Sequence, residues 1–312
     1  MRFGQELITP NHNAMYHVPV MLQECIEGLR IIPDGIYVDV TFGGGGHSKA
    51  ILNELGTNGK LFAFDQDEDV IVNVPQDKRF TLIQANFRHI TRFLKLYGIT
   101  QVNGILADFG ISSHQIDEAS RGFSTRFNAE LDMRMNRKEG ISAKEIINTY
   151  SAGQLQKMLS EYGEVQNAKT LAMAIVEYRA AQHIETTDEL KAICSSVSKG
   201  KEVKYLSQVF QAIRMEVNDE VNALKDFLKQ AKALLVPGGR LVVMSYHSLE
   251  DRPVKNYMKM GVFEGEPDKD MFGNYMHDLI VITKKPTEAT AEEVKQNPRA
   301  RSAKLRIAEK NK

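Results

Sequence analysis

The stretch Ile36-Tyr-Val-Asp-Val-Thr-Phe-Gly-Gly-Gly-Gly-His-Ser48 decides the fold of this chain. Residues 36–40 are rich in β-branched and aromatic side chains and predict a strand, and the four glycines after them predict a tight turn. Residues 48–55 then carry apolar side chains at helical spacing. A glycine turn between a strand and a helix lets backbone N–H groups at the helix N-terminus approach a ligand closely.

Strands and helices continue to alternate through the first third of the chain. Apolar, β-rich runs at 60–64, 80–83 and 102–107 predict three more strands, and the spacing over 90–96 predicts a helix. Strands separated by helices at these intervals are typical of βαβ units. The sequence therefore predicts an α/β fold built on a parallel sheet.

The pattern changes between residues 117 and 204. Strand signals disappear there, and apolar residues recur at intervals of three and four, which predicts helices. A long helix is predicted over 206–235, and Pro237-Gly-Gly239 is expected to end it. Two further strands are predicted at 240–245 and 276–283.

We interpret this pattern as one sheet domain, residues 1–116 and 205–312, interrupted by an all-helical insertion, residues 117–204, that recognises the substrate. The strands of the last third then complete the sheet begun at residue 36. The alternative is a separate C-terminal α+β domain. Its two strands would form a thin sheet with little core, so the insertion is preferred.

Length and composition indicate an ordinary globular protein of about two domains. The chain has 312 residues, of which 42% are hydrophobic and 26% charged, and 40 Lys and Arg balance 40 Asp and Glu. This composition excludes a disordered or fibrous chain. Overall neutrality gives no argument for an acidic partner, although a local basic patch would still be compatible with nucleic-acid binding.

The cysteines and the ends of the chain predict a cytoplasmic protein without a membrane span. Cys25 and Cys194 lie in apolar stretches and are expected to be core residues, so no disulfide framework is predicted. The first residues contain no apolar signal core, and no run of about 18 apolar residues occurs. Residues 284–312 carry nine Lys or Arg against four Glu and are predicted to form a surface arm.

Acidic residues are predicted at the carboxyl ends of three strands, beside the glycines. Asp65 follows the second strand, 20 residues after Gly45, where a nucleotide-binding sheet places an acid on a ribose. Asp108 closes the fourth strand, and Asp39 lies just before the glycine turn. Open α/β sheets bind their ligands at this edge.

The same residues distinguish between two cofactors. No Gly-Lys-Ser/Thr ends the glycine turn, and Asp39 would oppose a pyrophosphate but suits a cationic ligand. S-adenosylmethionine, which has a ribose but no phosphate, is therefore preferred to a nicotinamide dinucleotide. The phrase Leu234-Leu-Val-Pro-Gly-Gly-Arg-Leu-Val-Val243 also looks like the passage into the fifth strand of class I methyltransferases. The histidines show no metal-ligand spacing, so no metal is predicted.

The chain closely resembles one family, the bacterial small-subunit ribosomal RNA cytosine-N4-methyltransferases H. The matching stretches span almost the whole chain. They are His17-Val-Pro-Val-Met-Leu22, Pro33-Asp-Gly-Ile-Tyr-Val-Asp39, Thr41-Phe-Gly-Gly-Gly-Gly-His-Ser48, Asp108-Phe-Gly-Ile-Ser-Ser113, Arg121-Gly-Phe-Ser124, Leu131-Asp-Met-Arg-Met135, Phe210-Gln-Ala-Ile-Arg214, Val217-Asn-Asp-Glu220, Ser245-Tyr-His-Ser-Leu-Glu-Asp-Arg252 and Asn297-Pro-Arg-Ala-Arg-Ser302.

The resemblance implies a Rossmann-like class I methyltransferase sheet with a helical domain inserted after the fourth strand. It implies methyl transfer from S-adenosylmethionine to the exocyclic N4 amine of a cytidine in the decoding region of 16S ribosomal RNA. The implied cofactor-binding residues are Gly45, Gly46, His47, Asp65, Phe87, Asp108 and Gln115. The chain departs from the family at Gly44, where an Arg is frequent, and at His114, where a Pro is frequent.

Two roles are open for Asp108 and for His247. A strand-four carboxylate could accept the N–H bonds of the cytidine amine during transfer, or it could contact only the cofactor. His247 and Ser248, after the fifth strand, could line the substrate pocket or cap the next helix.

The target base must leave its stack to reach the methyl group, which requires an RNA-binding surface. Arginines and phenylalanines in the loop that opens the insertion suit phosphate contact and base stacking, or the arginines pair with neighbouring acids; they are Arg121, Phe123, Arg126, Phe127 and Arg134. In the tail, Arg299, Arg301 and Arg306 either bind RNA or form solvated surface.

The expected partner is 16S ribosomal RNA in the small subunit or in a late assembly intermediate, and the enzyme is expected to be a monomer or a homodimer. Three other functions stay open. The same sheet could serve a dehydrogenase, or a methyltransferase acting on another RNA or on a small molecule. A non-catalytic RNA-binding scaffold is less favoured because it would leave a cofactor pocket idle.

Overall fold

The computed structural model describes residues 19–198, 200–273 and 275–312. His17, the first residue of the matching stretches, and the predicted start of the sheet domain lie outside these ranges. The strands are β1 Ile36–Asp39, β2 Lys60–Asp65, β3 Phe80–Gln84, β4 Val102–Asp108, β5 Leu235–Ser245, β6 Leu279–Val281, β7 Thr287–Glu288 and β8 Lys304–Lys310. The helices are α1 Leu22–Leu29, α2 Gly46–Glu54, α3 Ile90–Leu96, α4 Ser113–Asp117, α5 Ala143–Thr149, α6 Ala152–Gly163, α7 Ala168–Ala181, α8 Thr187–Val197, α9 Glu202–Val217, α10 Glu220–Leu234, α11 Ser248–Met260 and α12 Ala291–Gln296.

The eight strands of the described residues belong to one sheet, whose main path has the order β3-β2-β1-β4-β5-β8-β6. The first five strands of this path are parallel; for example, Val38 of β1 pairs with Phe62 of β2 and Ile105 of β4. Strand β8 runs antiparallel to β5 and β6. The strands of the last third thus join the sheet begun at residue 36, which confirms the prediction of one sheet and excludes a separate C-terminal one.

The sheet is buried on both faces, as parallel sheets require. On one face Val38, Phe64 and Ile105 pack with apolar residues of α3, α10 and α11. On the other face Tyr37 and Leu106 pack with α1 and α2. Cys25 and Cys194 are free and buried, as their apolar surroundings predict.

Between β4 and β5 the chain forms a helical body with its own apolar core, which runs from Phe123 to Ile213. Ser142, Ser151 and Thr186 each close a capping box at the start of α5, α6 and α8, which explains where these helices begin. The core includes residues of α9, so this helix packs with the helical body. The division of the chain into domains at 116/117 and 204/205 stays a prediction. No helix of the described residues is long and apolar enough to cross a membrane.

The prediction of one long helix over 206–235 is wrong, because the structure has two helices there, α9 and α10, which are separated at Asn218 and Asp219. Asp219 has a left-handed backbone with φ +48°. The Asn218 side chain bonds to the backbone of Met133 and Met135, which holds the chain in this break. Pro237 and the glycines after it do not end the second helix, since they lie inside β5 at an irregularity of its pairing with β4.

The prediction that residues 284–312 form a surface arm is also wrong. The last part of this segment, β8, lies between β5 and β6, so it is an interior strand of the sheet. Leu305 and Ile307 are buried in the core. Arg306 between them forms an ion pair with Asp251, with Nε 2.7 Å from Oδ1, so its charge does not prevent burial. The basic composition of residues 284–312 hid this strand from sequence analysis, because its run of alternating apolar and polar residues is short.

Because β8 is interior, shortening one of its core side chains should destabilise the whole protein. We expect Leu305→Ala to lower the free energy of unfolding by about 2–5 kcal/mol, the usual cost of a cavity at a buried leucine. Chemical denaturation measures this, with Asn311→Ala, at an exposed position after the strand, as the control. A loss as small as that of the control would contradict an interior β8.

Candidate active site

The carboxyl ends of the parallel strands bring several polar side chains to one edge of the sheet. Asp39 ends β1, Asp65 ends β2 and Asp108 ends β4. Tyr246 and His247 follow the end of β5 at the same edge. These strands are adjacent in the sheet, so the five residues lie at one edge although they are far apart in sequence.

The glycine turn exposes the start of α2. Gly45 has φ +75°, which favours glycine, and a Cβ at Gly46 would lie 2.1 Å from Cγ of Pro19. No side chain of residues 19–198, 200–273 or 275–312 caps the first N–H groups of α2. Among the described residues nothing lies within 4 Å of a Cβ built on Gly44, so this position has room for a side chain. The turn therefore offers free N–H donors toward the edge of the sheet.

Asp65 receives backbone donors on both carboxylate oxygens. The N–H of Gly43 lies 2.8 Å from Oδ2, and the N–H of Asp67 lies 2.9 Å from Oδ1. Burial raises the pKa of Asp65 to about 6, and these two hydrogen bonds offset only part of that effect. Each oxygen keeps a further lone pair, so the carboxylate is oriented and still able to accept hydrogen bonds from a ligand.

Asp39 is 1% exposed and has an internal role. Its Oδ2 accepts a hydrogen bond of 2.7 Å from Ser48 Oγ, and its Oδ1 accepts one of 3.1 Å from the N–H of Thr41. Burial raises its pKa, while His47, Ser48 and Thr41 act in the opposite direction. Asp39 thus ties the glycine turn to the first turn of α2.

Asp108 is held by a tyrosine that sequence reasoning missed. Its Oδ1 accepts a hydrogen bond of 2.7 Å from the Tyr246 hydroxyl, and its backbone N–H donates to Thr41 Oγ1, also at 2.7 Å. Burial raises the pKa of Asp108 to about 6, although His47 and the Tyr246 hydroxyl favour the charged form. Burial and the neighbouring Asp108 raise the pKa of Tyr246 well above its usual value, so the hydroxyl stays a donor.

His247 lies beside a buried carboxylate. Its Nε2 is 3.0 Å from Glu250 Oε1, an ion-pair distance, but the angles are not those of a hydrogen bond. Burial raises the pKa of Glu250, but His247, the Tyr246 N–H and Arg214 outweigh this, so the net shift is downward. His247 directly precedes α11 and makes no side-chain capping bond. The ring therefore lies at the edge of the sheet, with Nε2 beside Glu250 and both ring nitrogens buried.

A cleft lies along this edge of the sheet. Phe87 and Phe109 form an aromatic wall, with ring centroids 5.5 Å apart. The lining also includes Thr41, Gln66, Asn86, Gly110, Met135, Met215, Asn218, Glu220, Val221, Ala223, Leu224, Leu249 and Glu250. Of the predicted cofactor residues only Phe87 is among them. Among the described residues no group of His, Cys, Asp or Glu could hold a metal ion.

Two other predicted cofactor residues have structural partners. The His47 ring is buried, with Nε2 3.1 Å from the carbonyl oxygen of Val20. The Gln115 amide donates to Asp67 at 2.7 Å and accepts from the N–H of Ser112, as the third residue of a capping box. Their side chains are thus occupied, although the backbone of His47 belongs to the uncapped start of α2.

Arg121, predicted to contact RNA, is 1% exposed. Its Nη1 lies 2.8 Å from Asp67 Oδ2 and 2.7 Å from Asp69 Oδ2. Its Nη2 donates to the carbonyl oxygens of Arg134 and Met135. The structure therefore gives this guanidinium no surface to offer RNA; it links the loop after β2 to the insertion.

The other residues of the insertion loop differ in exposure. Phe123 is buried in the helical core. Arg134 pairs with Asp132 at 2.6 Å, as the alternative interpretation of the loop expected. Arg126 has 57% of its side chain exposed, pairs with Asp117 and lies 5.3 Å above the ring of Phe127. Arg126 is thus the predicted RNA residue with the most surface to offer.

The protein has the class I methyltransferase fold, an α/β fold. This follows from the order of the strands, from the single long antiparallel strand β8, and from the acids that end β1, β2 and β4 at one edge of the sheet. Comparison with known proteins agrees with this class. The sequence profile of the MraW methylase family matches residues 14–311, and the chain belongs to that family.

Curated relatives are similar over nearly their whole length. Proteins named ribosomal RNA small subunit methyltransferase H are 55% identical in Christiangramia forsetii, over 95% of this chain and 98% of that protein, and 56% identical in Flavobacterium johnsoniae, with the same coverage. The protein of that name in Parabacteroides distasonis is 53% identical over 96% of this chain and 98% of its own length. The family resemblance inferred from the sequence is confirmed.

Removing Arg121 should leave the buried carboxylate of Asp67 without a charge partner. We expect Arg121→Met to lower the free energy of unfolding by about 3–5 kcal/mol, as for other broken buried ion pairs. Arg126→Met, which removes an exposed arginine from the same loop, should change it by less than about 1 kcal/mol. Equal effects of the two variants in urea denaturation would show that the buried ion pair is not what joins the loop after β2 to the insertion.

Proposed function

We propose that this chain transfers a methyl group from S-adenosylmethionine to the exocyclic N4 amine of a cytidine in the decoding region of small-subunit (16S) ribosomal RNA. The observation that carries the proposal is the oriented carboxylate of Asp108, at the end of β4 and next to Phe109 and Gly110 of the cleft. Membership of a methylase family and the names of its relatives support the reaction and the RNA class.

The edge of the sheet fits S-adenosylmethionine on several observations. The uncapped start of α2 offers N–H donors for a carboxylate, and no lysine is present in the glycine turn to bind a phosphate. The Asp65 carboxylate keeps lone pairs for ribose hydroxyls, and Phe87 provides an aromatic surface for a base. When bound, this cofactor supplies an electrophilic methyl group on a sulfonium. Gly45, Gly46 and the backbone of His47 would then hold its amino-acid part.

A cytidine amine is a weak nucleophile, so the protein must orient it and stabilise the charge that develops on nitrogen. In our proposal Asp108 accepts a hydrogen bond from an N–H of the amine, and the Tyr246 hydroxyl holds the carboxylate in position. His247, which follows the end of β5 at the same edge, would line the substrate pocket. The cytidine reaches this edge only after leaving its stack, and the partner is the small subunit or a late assembly intermediate. The predicted cytoplasmic location is part of the same proposal.

The direct test is incubation with labelled S-adenosylmethionine and either small subunits that lack the modification or naked ribosomal RNA, followed by digestion to nucleosides. We expect label in cytidine, on the N4 amine. Label in another nucleoside, or only in a small molecule, would defeat the proposed substrate. Failure to bind the methyl donor would defeat the reaction class.

Asp108→Asn keeps the size of the side chain but removes the carboxylate. We expect a large loss of turnover, with methyl-donor binding either retained, if Asp108 acts on the amine, or weakened too, if it holds the cofactor. Because burial raises the pKa of Asp108 to about 6, turnover in the wild type should fall as the pH drops through about 6 and the carboxylate takes up a proton. A bound sulfonium favours the carboxylate and would move this limb to lower pH. Unchanged turnover in the variant would contradict both roles.

A further inference from the structure

Two arginines from distant parts of the chain meet at one carboxylate. Arg126 belongs to the loop that opens the insertion, and its Nη2 lies 2.6 Å from Asp117 Oδ1. Arg299 belongs to the 3-10 helix Pro298–Ser302, and its Nη2 lies 3.6 Å from Asp117 Oδ2. We call Arg126, Arg299 and Asp117 the two-arginine surface. Its formal charge is +1.

The topology places this surface at the ligand edge of the sheet. Asp117 is the last residue of α4, which follows the carboxyl end of β4. The helix that carries Arg299 leads into β8, and because β8 is antiparallel, its first residue, Lys304, pairs with Ser245 at the end of β5. Both arginines therefore approach the edge where Asp108 and His247 lie.

The segment that carries Arg299 is fixed to the core. Ala300 and Ala303 are buried, and Asn297 caps the 3-10 helix by accepting from the N–H of Arg299. The preceding helix α12 is held by Glu293, which accepts a hydrogen bond of 2.7 Å from the N–H of Met21. Arg299 is thus presented from a rigid element, and little entropy would be lost when it binds a ligand.

The donors of the two guanidinium groups exceed their acceptors. The Arg299 side chain is 35% exposed, and its Nη1, which is buried, has no hydrogen-bond partner among the described residues. Arg126 has more than half of its side chain exposed, and the ring beneath it, Phe127, is itself 36% exposed. A planar guanidinium binds a phosphate through two parallel N–H donors, and an exposed aromatic ring suits a stacked base.

We propose that the two-arginine surface binds the phosphate backbone of the substrate RNA beside the target nucleotide, and that Phe127 supports a neighbouring base. This inference rests on the proposed function, because it assumes an RNA substrate at the adjacent edge. It assigns a binding role to a residue of the C-terminal segment, Arg299, that acts together with the insertion. Asp117 holds the two guanidinium groups close to each other, since both of them contact its carboxylate.

The test compares the double variant Arg126→Gln/Arg299→Gln with a matched control, Arg30→Gln/Lys95→Gln. The control also removes two exposed positive charges, but from segments that precede β1 and β4, at the opposite edge of the sheet. Binding to 16S ribosomal RNA and to small subunits is measured over a range of salt concentrations, together with KM and kcat for methyl transfer. Thermal unfolding confirms that both variants are folded.

For the test variant we expect a rise of about tenfold or more in the Kd and KM for RNA, with kcat at saturating RNA within about twofold of the wild type. The slope of log affinity against log salt concentration should become shallower by about 1 to 2, the change expected when two phosphate contacts are lost. The control should keep the wild-type slope. If the wild type methylates the RNA and the test variant keeps its KM and slope, the inference is overturned and the proposed function stands. If the wild type binds RNA without methylating it, the slope still decides the inference, while the proposed function fails.

Discussion

The arrangement of the active site depends on one buried ion pair, between Arg121 and Asp67. A guanidinium that is 1% exposed must be neutralised where it lies, and Asp67, with Asp69, provides the charge. Asp67 comes two residues after Asp65, and its own N–H orients that carboxylate. The same guanidinium binds two carbonyl oxygens of the insertion. The side chain thus sets the position of the insertion relative to the proposed ribose site.

A second link joins the same insertion loop to the helices that follow it. Asn218 accepts from the N–H of Met135 and donates to the carbonyl oxygen of Met133. Because the break between α9 and α10 depends on this contact, Met135, Asn218 and Glu220 all reach the cleft. The cleft is therefore assembled from the loops after the strands on one side and from the insertion and its return helix on the other. A ligand bound there contacts both parts of the molecule.

Local sequence patterns were sufficient for the sheet domain. Strands at 36, 60, 80 and 102 and the helix over 90–96 follow from periodicity, and the acids at strand ends follow from the geometry of parallel sheets. The break at Asn218, the burial of Arg121 and the Tyr246 hydrogen bond to Asp108 were not predictable in this way, since each partner lies more than 50 residues away. Charge was the misleading signal, because buried partners neutralise Arg121 and Arg306.

The interior position of β8 has a consequence for how the protein folds. Five parallel strands and the whole insertion precede β8 in the chain, and among the described residues the edge of β5 that faces away from β4 is covered by residues 304–310. Until these residues pair with β5, its edge is an unpaired strand that invites aggregation.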